Sequence, residues 1–263
     1  ALQGLFRNPL ADPGIIGVSA GASLAAVSVI VVGTSWAGGI SGWLGVYSLP
    51  AFSFLGAFVS TLIIYRLAQY NGKTLVSTLL LAGIAINAIA QAFTGMLVFF
   101  ANEGQLRTIT FWMLGSLGGA TWSQIAGISP FILIALVGLP FLAKALNTFA
   151  LGENNAAFLG IKTEQTKRLI IVLAALAVGA SVAVSGIIGF IGLVVPHLAR
   201  FLVGPSFVRL LPACACLGGG FLLFIDTLAR TLAPVEIPLG ILTALVGSPF
   251  FIVLLRRSQA GWG

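Results

Sequence analysis

Of the 263 residues, 59% are hydrophobic and only 7% are charged, and the mean hydropathy is +1.11. A soluble globular domain carries about 25% charged residues, so this composition excludes that class and predicts an integral membrane protein. The net charge of +7 does not indicate a nucleic-acid partner, because the bases stand singly at the ends of apolar runs, as they do in membrane proteins. The expected surroundings are the lipid bilayer.

Close to the start of the chain, the stretch RNPLADPG, residues 7–14, predicts a turn between two helices. Asn8 and Pro9 suit the end of a preceding helix, since proline cannot continue one. Asp12 is the expected N-cap of the next helix, with Pro13 at its first position and Gly14 following. A simple capped helix start would account for Asp12 and Pro13 alone. The small residues expected to let the new helix pack closely are Gly17, Ala20, Gly21 and Ala22.

Eight apolar segments are predicted to be transmembrane helices, because they are continuous runs near the length of a bilayer span and lack the alternation of barrel strands. The segments cover 14–34, 46–67, 75–100, 122–143, 168–188, 190–204, 210–231 and 237–256. The sixth is short and contains Pro196, so we expect it to be broken or strongly tilted. The prediction is an all-α, polytopic helix bundle that forms one transmembrane domain over residues 1–263.

The bases divide unequally between the two sides of this bundle. With a cytoplasmic N-terminus, ten fall on the inner side: Arg7, Arg66, Lys73, Lys144, Lys162, Lys167, Arg168, Arg209, Arg256 and Arg257. The outer side receives Arg107 and Arg230, while Arg200 lies within a span. The positive-inside rule therefore places both ends of this chain in the cytoplasm.

The longest polar interruption, residues 146–168, lies on the predicted cytoplasmic side. Leu151, Gly152 and Glu153 look like a helix start, and Gly160 is expected to end that short helix before a second begins near Thr163. The apolar residues of this loop are Ala156, Ala157, Leu159 and Ile161. Such an exposed apolar face indicates either a protein partner or a helix resting on lipid headgroups.

The outer side contains three polar features of interest. Trp112 and Trp122 fit an interfacial aromatic belt, whereas Arg107 is one of only two bases there. Asp226 and Arg230 stand four residues apart in the orientation that favours an intrahelical ion pair, although Arg230 is also placed to contact something outside.

His197, the only histidine, has no second histidine or acid at ligand spacing. We therefore predict no metal site and a structural role beside Pro196. Nothing in the sequence has the pattern of a nucleotide-binding loop or of a catalytic triad, so an enzyme is not expected.

Six stretches, in this order, resemble one family: RNPLADPGIIGVSAGAS, FWMLGSLGGATW, LGENNAAFLGI, GFIGLVVPHLARFLVG, DTLAR and EIPLGILTALVGSPFFIVLLRR. The chain is similar to FecCD-type permeases of the type II ABC importers for iron chelates, haem and cobalamin. The resemblance implies a homodimer, or two homologous halves, with two cytoplasmic ATPase subunits that bind ATP and Mg²⁺. It also implies a periplasmic or lipid-anchored substrate-binding protein, and no cofactor in this chain. Family members have ten helices, so it further implies two helices upstream of Asn8.

The resemblance also implies roles for particular residues. The ATPase-coupling element matches Leu151, Gly152, Glu153, Ala156, Leu159, Gly160 and Ile161. The expected docking residues for the binding protein are Arg107 and Arg230. The path helix spans 75–100, with an inner gate at Leu75, Val76, Ser77 and Thr78. Its polar face is Asn87, Gln91 and Thr94, which either lines the pore or makes buried interhelical hydrogen bonds. Family motifs also contain Asn8, Pro9, Asp12, Pro13, Gly14, Pro196, His197, Arg200 and Asp226.

The expected function is import of an iron chelate, haem or an Fe(III)-siderophore, across the bacterial inner membrane by alternating access. A cobalamin permease of the same family is the alternative. A secondary transporter driven by an ion gradient would need unpaired ionisable groups within the spans, and Asp226 already has Arg230 as a partner. A membrane-embedded enzyme is disfavoured by the lack of a catalytic constellation.

Overall fold

The computed structural model describes residues 1–36 and 45–260. Within these residues there are twelve α-helices, two 3₁₀ helices (Pro13–Ile16 and Gly45–Tyr47) and one antiparallel hairpin. The helices are α1 (Leu2–Leu5), α2 (Val18–Trp36), α3 (Ser48–Leu67), α4 (Val76–Phe99), α5 (Glu103–Leu114), α6 (Trp122–Phe141), α7 (Ala143–Phe149), α8 (Glu153–Phe158), α9 (Thr163–Ser185), α10 (Ile191–Val203), α11 (Phe207–Thr231) and α12 (Leu239–Ala260). The strands are β1 (Gln69–Tyr70) and β2 (Lys73–Thr74).

Each apolar segment of the sequence contains one helix, which confirms the all-α prediction. Among the described residues, α3, α4, α6, α9 and α11 are long and apolar enough to cross a membrane, and three shorter apolar stretches lie in α2, α10 and α12: Val18–Gly33, Ile191–Val203 and Leu239–Ile252. In the sixth segment α10 has only 13 residues, but it runs without interruption through Pro196, so the break expected at this proline is not found. The predicted inner bases Arg256 and Arg257 fall within α12, but their side chains lie outside the described part of the chain.

The first turn is capped as predicted, but α2 begins later than expected. The Asp12 carboxylate accepts a hydrogen bond from the Gly14 N–H at 2.7 Å, and Pro13 follows the cap. The capped element is only the 3₁₀ helix, which ends at Gly17 with φ 82°, and α2 starts at Val18. A Cβ on Gly17 would lie 2.5 Å from Ser60 Oγ of α3. The close approach of α3 therefore requires glycine here, and its left-handed backbone separates the two helices.

Before this turn, α1 is followed by Asn8 and Pro9, in agreement with the predicted helix end. The Asn8 side-chain oxygen accepts a hydrogen bond from the Leu10 N–H at 2.9 Å, a local bond of the kind that stabilises turns.

Close contact between α2 and α3 confirms the expected role of the small residues in α2. A Cβ on Gly21 would lie 2.5 Å from Ser60 Cβ, and one on Gly56 would lie 2.5 Å from Ala25 Cβ. Lipid tails provide no hydrophobic drive between helices, so stability comes from such close backbone packing.

The sequence reading missed the hairpin between α3 and α4. Its strands pair Gln69 with Thr74 and Tyr70 with Lys73. The two turn residues, Asn71 and Gly72, have φ of 48° and 75°, which is the left-handed pair that a two-residue hairpin needs. The hairpin leads directly into α4, because the Leu75 N–H donates to the Ala68 carbonyl oxygen at 3.1 Å.

Two further helices, α5 and α7, fall in stretches that were expected to be loops. Asn102 and Gln105 form a reciprocal capping box at the start of α5. The Gln105 side chain also donates to the carbonyl oxygens of Ile30 and Val31, both at 3.2 Å, and so fastens α5 to α2.

Hydrogen bonds between loops define two ends of the bundle. At one end, which we call the base-rich end (residues 66–78, 142–168 and 204–209), the Phe207 N–H donates to Asn147 Oδ1 at 2.8 Å. At the opposite end (residues 114–118 and 236–240), Ser116 Oγ donates to Glu236 Oε1 at 3.0 Å and the Leu239 N–H to the Gly115 carbonyl oxygen at 2.9 Å. The helices of the bundle therefore connect an end that carries most of the predicted inner bases with an opposite end whose loops carry none of them.

Candidate functional site

The short helix α8 protrudes at the base-rich end and begins and ends where the sequence predicted. Gly152, with φ 108°, stands before its first residue Glu153, and Gly160, with φ 82°, follows its C-cap. The next helix, α9, begins at Thr163. Both glycines adopt backbone conformations that other residues rarely take, so α8 is a separate segment between two sharp turns.

Residues 151–161, in and beside α8, combine an exposed apolar surface with a buried anchor. Leu151, Phe158 and Leu159 have 64%, 89% and 65% of their surface exposed. Ala156 is fully buried in the core cluster, and Ile161 packs against that cluster. Of the predicted coupling residues, Leu151 and Leu159 thus face outward, while Ala156 and Ile161 fasten the segment. Phe158 was not predicted as a coupling residue, although it lies within the LGENNAAFLGI stretch, directly before Leu159.

A buried ion-pair cluster connects α8 to its surroundings. The Lys167 ammonium donates to a Glu153 carboxylate oxygen, to Glu164 Oε1 at 2.9 Å and to the Thr74 carbonyl oxygen at 2.8 Å. Glu164 Oε2 accepts from the Thr74 N–H at 2.8 Å. Glu153 was predicted as a coupling residue, whereas the sequence reading treated Lys167 only as one of ten inner bases and did not single out Glu164 or Thr74.

The polar face of α4 lines a cavity of about 310 Å³. The lining residues include the three predicted ones and residues of the opening turn and α2: Asn87, Gln91, Thr94, Gly14, Ser19, Ala20 and Ser23. The structure thus brings the predicted path residues together with the DPG turn, a contact that the sequence did not suggest.

These three polar residues differ in what they bind. Asn87 Nδ2 donates to the Gly14 carbonyl oxygen at 2.9 Å, while its Oδ1 is buried without a partner among the described residues. Thr94 Oγ1 bonds to the Ala90 carbonyl oxygen of its own helix at 2.7 Å. Gln91 is exposed to the cavity. Asn87 therefore contributes to packing against the DPG turn, and the Thr94 hydroxyl is hydrogen-bonded within its own helix. Gln91 is available to a solute in the cavity.

The predicted gate residues Leu75, Val76, Ser77 and Thr78 form the start of α4, away from this cavity. Thr78 precedes Asn87 by nine residues, which corresponds to about 14 Å along the helix axis. Leu75 and Ser77 are exposed at the base-rich end, directly after the hairpin. They therefore lie close to Lys167 and α8, on the side where the predicted ATPase contact is found.

The two predicted docking arginines are both exposed, but they differ in partners. Arg230 Nε donates to Asp226 Oδ2 at 2.9 Å, which confirms the predicted ion pair. The Arg107 guanidinium lies 5.8 Å from the ring centre of Phe111, a cation–π contact that leaves its charge accessible.

The remaining motif residues lie in and around α10. The His197 ring contacts Phe201 and Phe250 edge to face, at centroid distances of 5.4 and 6.3 Å. Arg200 donates to the Gln3 side-chain oxygen at 2.5 Å. Among the described residues, no three histidine, cysteine or acidic side chains group as metal ligands. The aromatic contacts of His197 agree with a packing role.

Comparison with known proteins gives this arrangement its context. Residues 1–257 match the FecCD transport family. The chain belongs to this family.

Known proteins resemble this FecCD chain over nearly its whole length. It is 45% identical to the hemin transport system permease HmuU of Yersinia pestis, covering 98% of this chain and 76% of that protein. It is 41% identical to the cobalamin import permease BtuC of Halobacterium salinarum, covering 98% and 67%. A solved structure, described as an inward-facing metal-chelate type ABC transporter, superposes with a TM-score of 0.87 at 33% identity, over 97% of this chain and 80% of that one. The resemblance inferred from the motifs is confirmed, and the FecCD chain is a multi-pass inner-membrane transport permease.

Proposed function

We propose that this chain is the permease subunit of an ABC importer that moves an iron chelate, haem or an Fe(III)-siderophore, into the cytoplasm. The observation that carries the proposal is α8, whose apolar side chains stand exposed at the end where the predicted inner bases collect. An apolar surface among charged residues is typical of a protein–protein contact. In an ABC importer, this partner is the ATPase subunit.

The proposed assembly contains two copies of the permease, or two homologous halves, and two cytoplasmic ATPase subunits that bind ATP and Mg²⁺. The base-rich end and both ends of this chain face the cytoplasm, as the positive-inside rule favours. A substrate-binding protein docks on the opposite side, where Arg107 and Arg230 attract its acidic residues. Such charges set docking orientation and association rate more than affinity.

Alternating access follows from this arrangement. ATP binding by the partner displaces α8, and α8 is fastened to the start of α4 through the buried cluster around Lys167. Because α4 carries both the gate residues Leu75–Thr78 and the polar lining at Gln91, a shift at its start changes access to the cavity. The permease itself performs no chemistry.

The test is purification of the permease together with its ATPase. We expect a stable complex that hydrolyses ATP, with inhibition by vanadate and stimulation by the loaded binding protein. Transport that continued without the ATPase subunit would refute the importer proposal and favour an ion-coupled transporter.

Haem is the first substrate to test, because the hemin permease relative is 45% identical. Cobalamin is the second candidate, supported by the cobalamin permease relative at 41%. Titration of the cognate binding protein with haem, an Fe(III)-siderophore and cobalamin separates them. Binding of cobalamin alone would refute the iron-chelate proposal and leave the importer proposal intact.

A further inference from the structure

Lys167 is a buried cation with all of its donors in use. Its side chain is only 3% exposed, while those of its carboxylate partners Glu153 and Glu164 are 45% and 31% exposed. Lysine is almost never fully buried unless it is paired, and an ammonium has three donors. The bonds to Glu153, Glu164 and the Thr74 carbonyl oxygen use all three, so the buried charge is fully paired.

These three partners belong to three separate elements. Glu153 is the first residue of α8, Thr74 is the last residue of β2, and Glu164 lies in the first turn of α9. Glu164 also accepts from the Thr74 N–H, so both backbone groups of Thr74 are bound by this cluster. Thr74 is followed by Leu75, the N-cap of α4. A continuous set of polar contacts therefore runs from α8 to the start of α4.

The surroundings allow the Glu153 contact to break while the charge stays paired. Gly152 and Gly160 flank α8 with φ of 108° and 82°, so the backbone turns sharply on both sides of the segment. A cavity of about 270 Å³, lined by Arg7, Val76 and the Glu153–Lys167 pair among others, adjoins the cluster. Glu164 is a second carboxylate on Lys167, at 2.9 Å, and its bond does not depend on Glu153, so loss of the Glu153 contact alone leaves the buried charge paired.

We propose that Lys167 is a positioning residue that transmits displacement of α8 to the gate at the start of α4. It does so by breaking and re-forming its contact with Glu153 while it keeps its contacts with Glu164 and Thr74. This inference rests on the proposed importer function. It assigns the coupling to one side chain with two alternative bonding states, which is the element that a two-state transmission requires.

The experiment uses the intact permease–ATPase complex in lipid nanodiscs and needs no identified substrate. The reporter is Ser77→Cys, with Cys214→Ala and Cys216→Ala, and the rate of its labelling by a maleimide is measured with and without ATP plus vanadate. Lys167→Met is compared with Lys144→Met, which removes an exposed ammonium at the same end of the bundle. We expect the nucleotide-dependent change in labelling rate to fall by at least about fivefold in Lys167→Met, the lower range of typical couplings between sites, with vanadate-trapped nucleotide still bound.

A purely structural role would lower the yield of complex without removing the nucleotide response of the complex that assembles. Glu153→Gln keeps the size of a half-exposed side chain and serves where Lys167→Met does not assemble. The two substitutions act on one contact, so the double variant is expected to lose no more response than Lys167→Met alone.

A nucleotide-dependent change in labelling rate that is equal in Lys167→Met and Lys144→Met would overturn this inference. Additive losses of that change in the double variant would overturn it too, as would a labelling rate that does not change with nucleotide while Lys167 is present. Each of those outcomes leaves the importer proposal standing if the ATPase copurifies. Failure of the ATPase to copurify would instead refute the proposed function, and this inference with it.

Discussion

Phe158 has the most exposed side chain of the three exposed apolar residues in and beside α8, and Phe158→Ala tests whether this face binds the ATPase. Complete burial of a phenylalanine is worth about 1.5–3 kcal/mol. The side chain is 89% exposed in the permease, so docking has about 1.3–2.7 kcal/mol to gain from it. The expected loss on substitution is therefore about 10- to 100-fold in the dissociation constant for each docking site.

The assay is titration of nanodisc-embedded permease with fluorescently labelled ATPase. Phe99→Ala is the matched control, because Phe99 is 81% exposed at the far end of α4, and no change in affinity is expected. An unchanged dissociation constant in Phe158→Ala would refute the docking role of this face and support the alternative that α8 rests on lipid headgroups.

Two further predictions concern other parts of the bundle. Gly83→Ala places a Cβ against the Ile15 carbonyl oxygen, while Gly95→Ala in the same helix meets open space. Overpacking typically costs about 1–3 kcal/mol of stability, so the melting temperature in detergent should fall only in Gly83→Ala. Equal melting temperatures of the two variants would contradict this packing. At the opposite end, Arg107→Ala should slow association of the binding protein more than Arg230→Ala, since Asp226 neutralises Arg230. Stopped-flow association rates at low and high salt measure this difference, and rates that do not depend on salt would rule out steering by charge.

Local signals predicted much of the fold. Long apolar runs identified the eight main helices because burial in lipid requires continuous hydrophobic length. Gly152 and Gly160 marked the limits of α8, since each adopts a backbone that other residues avoid. The hairpin was missed although Asn71 and Gly72 form the dipeptide most typical of a two-residue turn. The capping pair Asn102 and Gln105 likewise indicates the start of α5, which was also missed.

Apart from the i,i+3 spacing of Glu164 and Lys167, the buried cluster had no such local signal. Lys167 contacts Glu153 and Thr74, which lie 14 and 93 residues away along the chain. In the sequence it resembles its neighbour Arg168, and both were assigned simply to the inner side. In the structure Lys167 is buried and Arg168 is exposed. No periodicity distinguishes them, because the difference comes from the hairpin and α8 packing over one side of α9.

By itself, the sequence determined the membrane class, the main helices and the family, since hydropathy, turn chemistry and motif order are properties of contiguous residues. Only the tertiary structure decided which side of α8 is exposed, which base is buried, and that the DPG turn meets the polar face of α4 at Asn87. Those properties depend on distant segments that exclude lipid and water from a given side chain. Two apolar residues of the same short helix therefore differ in their surroundings, Ala156 being buried and Phe158 exposed.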